Sequence, residues 1–200
     1  MTWIEVISFQ KATGKLKRLY SKVTGPNNNV DNIMLVHSLR PHTMSGHMTL
    51  YKNVLHNSNN TLPKWFLETI GVYVSLLNSC DYCIDHHFEG LKRLIGDDEK
   101  SNQIKKDLEE GNIPFTEKKY NQALSYAQKL TKNPSEVIEE DVVKLRKEGM
   151  TDGEILEINQ VTSYFNYANR TVLGLGVSTD GDIVGLSPNN SDDENDWNHQ

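Results

Sequence analysis

Glu68-Thr-Ile-Gly-Val-Tyr-Val-Ser-Leu-Leu-Asn-Ser-Cys80-Asp-Tyr-Cys83-Ile-Asp-His-His87 is the stretch on which the reading of this chain turns. Its first half belongs to an apolar run, Trp65, Phe66, Ile70, Val72, Tyr73, Leu76 and Leu77, that covers much of a helix's circumference. The run predicts a buried helix opened by Leu62-Pro63, with the proline suited to a first turn. Asn78 or Ser79 then caps a second helix carrying Cys80, Cys83, His87, Leu91 and Leu94, which ends near Gly96. Cys80 and Cys83 are the only two cysteines of the chain. Three residues apart in a first helical turn, they set two sulfurs side by side, so a thiolate on one can react and the other can close a disulfide behind it.

Outward from this centre, helical periodicity dominates. Upstream, Leu16, Leu19, Tyr20 and Val23 make a stripe, Gly25-Pro26-Asn27-Asn28-Asn29 breaks it, and Leu35, Leu39, Met44, Met48, Tyr51, Val54 and Leu55 predict two helices meeting near Pro41 or Gly46. Downstream, a short helix is expected through Ile104 and Leu108. Another, capped by Thr116, runs through Tyr120, Ala123, Leu124, Ala127 and Leu130 to a break at Asn133-Pro134-Ser135. Glu139 to Lys147 stops at Gly149, and the capping box Thr151-Asp-Gly-Glu154 opens a helix from Ile155 to about Leu173. Asp180-Gly181-Asp182 reads as a turn. No strand alternation with hairpin turns and no fixed-period repeat occurs, so the class is all-α. One helical domain is expected over 1–186, with 1–30 as an N-terminal arm, followed by a polar, disordered tail over 187–200 rich in Asn, Asp and Ser.

Composition narrows the function. The chain has 200 residues and a formal net charge of −6, enough length for a real core and the wrong sign for phosphate neutralisation, so neither nucleic acid nor an anionic membrane surface is expected as a partner. No apolar stretch reaches membrane-spanning length and no basic and apolar leader opens the chain, which makes the cytoplasm the expected compartment. A reducing cytosol would not keep a structural Cys80–Cys83 bridge formed.

His87 lies four residues after Cys83, one turn along the same face, and Cys80 lies on that face again. Glu68, on the preceding helix, reaches the imidazole only if the two helices pack antiparallel or crossed; burial among Phe66, Leu67 and Ile70 is expected to raise its pKa. The chemistry available is attack of the Cys83 thiolate on the terminal oxygen of a hydroperoxide, departure of the alcohol with a proton from the relay, and condensation of Cys80 with the Cys83 sulfenic acid. Choosing Cys83 as the attacking sulfur rests on its register with His87. Cys80, nearer the helix start, is better placed for exchange with a dithiol, and the reverse assignment stays open. The disulfide is expected to be accessible to an external dithiol.

These residues resemble the carboxymuconolactone decarboxylase-like family, and within it the alkyl hydroperoxidase D-like peroxidases, whose Glu-x11-Cys-x2-Cys-x3-His signature is met at Glu68, Cys80, Cys83 and His87. The run Leu145-Arg146-Lys147-Glu148-Gly149, then Phe165-Asn166-Tyr167-Ala168-Asn169-Arg170 and Gly174-Leu175-Gly176-Val177, is similar to the branch of uncharacterised peroxidase-related enzymes. The resemblance implies an all-α, multi-helix subunit that assembles into dimers, trimers or hexamers. It further implies a peroxidatic Cys83, a resolving Cys80, proton relay by Glu68 and His87, no bound cofactor, and recycling by a lipoyl- or thioredoxin-like dithiol protein. Tyr82 departs from the pattern, standing where such peroxidases often have a histidine. A phenol donates a hydrogen bond but is a poor base at neutral pH.

Blander readings stand beside this one. Zinc could recruit Cys80, Cys83 and His87 with His86 or Glu68, but structural zinc sites draw paired ligands from two segments and no second pair exists. The thiols could exchange disulfides, sense oxidant within a helical oligomer, or lie inert in a cysteine-independent lyase. His86 is read as solvated or structural and Tyr82 as packing. His42 and His47 do not share a helix face. Asn166, Asn169 and Arg170 are read as a polar network, and Tyr164, Phe165 and Tyr167 as core or subunit interface.

Overall fold

The computed structural model describes residues 2–112, 114–186 and 197. The chain forms α1 (Gly14–Val23), α2 (Asn32–Leu35), α3 (Pro41–Leu55), α4 (Lys64–Leu77), α5 (Asp81–Ile95), α6 (Asp98–Glu110), α7 (Lys118–Lys132), α8 (Glu139–Lys147) and α9 (Asp152–Leu175). No strand occurs among the described residues, and no helix among them is long and apolar enough to cross a membrane.

The apolar run before the cysteines becomes the central helix. Phe66, Leu67, Ile70, Val72 and Val74 of α4 are fully buried, and α4 packs against α5, α9 and α7. Such all-round burial is what a helix without a polar face requires. Pro41 divides the α2–α3 region, because its ring fits a first turn and excludes an interior one. Gly96 and Gly176 end α5 and α9 in the left-handed conformation, at φ 67° and 61°. The Thr151 capping box is closed on both sides: the Glu154 N–H donates to Thr151 Oγ1 at 3.2 Å, and the Thr151 N–H to Glu154 Oε2 at 2.8 Å.

Two caps differ from expectation. Glu117, rather than Thr116, precedes α7, and the Thr116 hydroxyl donates to its carboxylate at 2.9 Å. Asn78 closes α4, Ser79 takes φ 55°, and Cys80 itself is the residue that precedes α5. The left-handed turn at Ser79 spends both candidate capping residues on reversing the chain. α5 therefore folds back along α4 as a helical hairpin.

The stretch expected as an N-terminal arm is fastened to the domain. The Tyr20 hydroxyl donates to Ile7 O at 2.7 Å, the Ile7 N–H to Ser38 Oγ at 2.9 Å, and the Trp3 N–H to Leu175 O at 2.8 Å. The tail expected over 187–200 lies outside the described residues apart from Trp197, which is buried in the main core.

Gly71 of α4 lies against the ring of Phe165 on α9; a Cβ there would overlap Cζ and Cε2 of that ring. Phe165 is fully buried and meets the His87 ring edge-on at 4.6 Å, so it has little room to retreat. Gly71→Ala is therefore expected to destabilise the protein by about 1–2 kcal/mol in urea unfolding, overpacking outweighing the gain in helix propensity. An unchanged or raised midpoint would contradict the close α4–α9 approach.

Candidate active site

The α4–α5 hairpin brings Glu68 level with His87. His87 Nδ1 lies 2.8 Å from Glu68 Oε2, with side-chain exposures of 14% and 5%. Burial alone would push the Glu68 carboxyl up. The charge and hydrogen bond of His87, with the charges of His56 and Arg93, outweigh it and hold the carboxyl below its ordinary value, which corrects the expectation of a raised pKa. An ionised carboxylate only accepts, so the His87 Nδ1–H is the donor whatever the state of the ring, and Nε2 accepts only when the ring is neutral. Phe165 and Tyr51 meet the imidazole edge-on, at 4.6 and 6.0 Å, and fix its plane.

Both cysteines sit at the start of α5, and both are buried, at 0% and 2% exposure. The accessible sulfurs expected of a helix start are not what the fold gives: Val36, Val172, Val177 and Tyr82 cluster around them. The thiols hydrogen-bond to one another. The Cys80 thiol is pulled below its ordinary value by the hydrogen bond from Cys83 and the Cys83 backbone N–H of the helix start, against the cost of burial. Cys83, the donor of that bond and itself buried, is pushed well up. The pair thus holds its last proton on Cys83. Asn169 of α9 also reaches both sulfurs and favours their charged forms.

Asn169 belongs to a buried polar network in which Asn78 donates to Asn166 at 3.1 Å and to Asn169 at 2.9 Å, and Asn169 donates to Ser75 at 3.1 Å. Arg170 donates to Asn166 on the exposed side. The polar-network reading of these residues describes the geometry, but it missed the sulfur contact of Asn169.

Cys83, Glu68 and His87 line one cavity of about 50 Å³, into which His86, Asp31 and Tyr82 also face. The space suits a few water-sized groups. Cys80 is not on its wall. His47, Tyr51 and Tyr164 complete the aromatic side, with His47 5.7 Å from the Tyr164 ring, whereas His42 is exposed on α3.

A second polar centre went unrecognised in the sequence. Asp182, its side chain 1% exposed, accepts from the Tyr82 hydroxyl at 2.7 Å and from the Asn32 N–H at 3.0 Å, and lies 3.4 Å from His86 Nε2. The Tyr82 ring stacks on His86 at 4.6 Å. Tyr82, read as packing, and His86, read as solvated or structural, thus share a polar centre in which His86 is covered rather than solvated. Burial, with the charges of Asp182 and Asp31, pushes the Tyr82 phenol well up. Asp31 is raised from 3.8 to about 7 by burial, with the charge of Asp182 adding to it and that of His86 opposing. The only sequence signal was the Asp180-Gly181-Asp182 turn, which says nothing about where its last carboxylate goes. Among the described residues, no group of three or more His, Cys, Asp or Glu is arranged to hold a metal ion.

No family model and no curated protein matches the sequence. Among solved structures, the chain is similar to an uncharacterised peroxidase-related protein with an alkylhydroperoxidase AhpD core from Ralstonia eutropha JMP134, at 23% identity and a TM-score of 0.75 over 88% of this chain and 91% of that one. It is similar to an uncharacterised peroxidase-related protein from Silicibacter sp. TM1040, at 25% identity and a TM-score of 0.68 over 76% of this chain and 78% of that one. The debrominase Bmp8, in complex with 2,3,4-tribromopyrrole, matches at 14% identity and a TM-score of 0.62 over 82% of this chain and 81% of that one. The chain has the all-helical alkyl hydroperoxidase D-like fold.

Asp31 gives a pH signature. A carboxyl raised on folding binds its proton more tightly in the native state, so its contribution is complete below about pH 4 and is lost as pH rises towards 7. The loss amounts to at most about 4 kcal/mol. Asp31→Asn removes it: relative to the variant, the wild type is expected to lose unfolding free energy between pH 4 and pH 8. A relative gain over that range would mean that Asp31 is stabilised as a carboxylate.

Proposed function

We propose that this chain is a thiol-dependent peroxidase that reduces small hydroperoxides through a Cys83 sulfenic acid and a Cys80–Cys83 disulfide. The observation that carries the reading is the shared cavity. The Cys83 sulfur faces the same small space as His87, whose Nδ1–H is held at 2.8 Å by Glu68. Likeness in fold to peroxidase-related proteins supports it.

The cycle begins when the last proton of the pair moves along the thiol–thiol hydrogen bond from Cys83 to Cys80. The Cys83 thiolate attacks the terminal oxygen of the hydroperoxide. The S–O bond forms, the O–O bond breaks, and the alkoxide leaves to be protonated as the alcohol. Cys80, still a thiol, condenses with the sulfenic acid, forming the S–S bond and releasing water. His87, as a neutral base at Nε2, serves these proton movements, and Glu68 stabilises the imidazolium that results. A cavity of about 50 Å³ suits hydrogen peroxide or a short alkyl hydroperoxide.

A lipoyl- or thioredoxin-like dithiol protein returns the disulfide to two thiols. Because both sulfurs are buried, the side chains around Val36, Val172 and Val177 must part for that partner. A cytoplasmic location would supply such a reductant. Assembly as a homo-oligomer, dimer, trimer or hexamer, would cover exposed Leu156 and Tyr167 of α9.

A second reading, thiol–disulfide exchange led by Cys80, is favoured by one observation, the lowered pKa of that thiol at the helix start. Steady-state peroxide consumption with a dithiol reductant separates the two. Cys83→Ser is expected to abolish turnover. Cys80→Ser is expected to consume one equivalent and stop with a trappable sulfenic acid at Cys83. A Cys83→Ser protein with full peroxide turnover would overturn the peroxidase reading, and a wild-type protein that consumes no peroxide yet reduces a model disulfide would establish the exchange reading.

A further inference from the structure

His86 and His87 leave α5 about 100° apart, and each meets its own buried carboxylate. His87 is held by Glu68 of α4, in the same hairpin. His86 lies beside Asp182, which comes from the segment after α9 and is almost completely covered. Both imidazoles face the cavity that holds Cys83.

The two differ in one respect that matters for chemistry. The Nδ1 of His87 is engaged at 2.8 Å. His86 Nε2 is buried, sits 3.4 Å from Asp182 Oδ2, and has no hydrogen-bond partner. A buried ring nitrogen without a hydrogen bond is costly unless something else supplies the bond. Asp182 is meanwhile satisfied by the Tyr82 hydroxyl and the Asn32 N–H, so it is fixed in place and orients rather than follows. The stack of Tyr82 on His86 at 4.6 Å holds the ring from its face.

We propose that His86, oriented by Asp182, is the acid that protonates the leaving oxygen of the hydroperoxide, so that the site divides its proton work between two adjacent histidines. The inference rests on the peroxidase reading and deepens it. In the step concerned, the Cys83 thiolate takes the terminal oxygen with its hydrogen, the O–O electron pair leaves on the alkoxide, and the His86 imidazolium transfers its proton to that alkoxide. Cysteine is oxidised to sulfenic acid and the peroxide is reduced to alcohol, with His86 left neutral. Asp31, on the same cavity wall and held up to about 7 by burial, is a nearby source of a replacement proton. His87 remains free to act as a base towards the thiol pair, a role a protonated ring could not fill. Tyr82 is a positioning residue here: its phenol, pushed well up, keeps its proton and spends it on Asp182.

Leaving-group dependence tests this directly. Fully reduced protein is mixed with one equivalent of ethyl hydroperoxide, hydrogen peroxide or peracetic acid, and single-turnover thiol loss is timed. Ethoxide is a strong base that needs a proton to depart, whereas acetate needs none. His86→Asn is expected to slow ethyl hydroperoxide by about 100-fold or more and to leave peracetic acid within about threefold of wild type. His87→Asn is expected to slow both alike. Asp182→Asn is expected to show the same selectivity as His86→Asn at smaller amplitude, and His86→Gln repeats the test with a longer amide should Asn loosen α5. Equal slowing of every oxidant by both His86 variants, or no slowing, would overturn the assignment of His86 while leaving the peroxidase reading standing. A wild-type protein that keeps both thiols with all three oxidants would remove the peroxidase reading, and this inference with it.

Discussion

The hydrogen bond between Glu68 and His87 depends on, and reports, the arrangement that makes the site possible: an α4–α5 hairpin tight enough to bring a carboxylate and an imidazole to 2.8 Å across two helices. A carboxylate this buried is tolerable only with such a partner. The partner's charge and bond overcome the desolvation that would otherwise protonate Glu68. The ionised carboxylate in turn fixes which ring nitrogen of His87 carries the proton. The left-handed turn at Ser79 that closes the hairpin also places Cys80 directly ahead of α5, where the helix start can stabilise a thiolate. One local geometry thus sets the orientation of the His87 ring and the surroundings of both thiols.

The rest of the molecule holds that hairpin shut. α9 lies along α4 with Phe165 over Gly71, and the same ring stops the His87 imidazole from turning. Asn169, from the same helix, brings an amide to the sulfurs. The segment after α9 returns to α5 and delivers Asp182 to Tyr82 and His86, while the Arg93 guanidinium donates to Gly185 O. Each of these contacts joins residues far apart in the chain, so the cavity is a product of the whole fold. Its small volume and buried sulfurs fit a diffusible oxidant better than direct entry by a protein disulfide.

Much of this was legible in the sequence, for identifiable reasons. Helix ends were written in residues whose backbone chemistry leaves little choice: Pro41, Gly96 and the Thr151–Glu154 box, whereas the last helix, expected to end at about Leu173, runs to Leu175 and stops at Gly176. The spacing of Cys80, Cys83 and His87 on one helix placed them on one face. The cap of α5 was misassigned because both Asn78 and Ser79 suit a cap and also a reversal, and only the packing of α5 on α4 decides which they do. The pKa of Glu68 went the other way from the expectation because burial and pairing oppose each other, and the hydrophobic neighbours in sequence announce only burial. Asp182 lay beyond local reading altogether. Its partner Tyr82 is a hundred residues earlier, and an Asp-Gly-Asp turn carries no mark of its destination. His86 was read as solvated or structural, since nothing near it in sequence announces that its face of the helix meets that returning segment.

The central claim is that Cys80 and Cys83 are a working redox pair rather than buried inert thiols. Intact mass with thiol labelling, on reduced wild-type protein before and after one equivalent of ethyl hydroperoxide, tests it most directly. A redox pair loses two hydrogens and both labels, and a dithiol restores the mass and both labels. Two thiols that remain reduced and label fully after unfolding would contradict it.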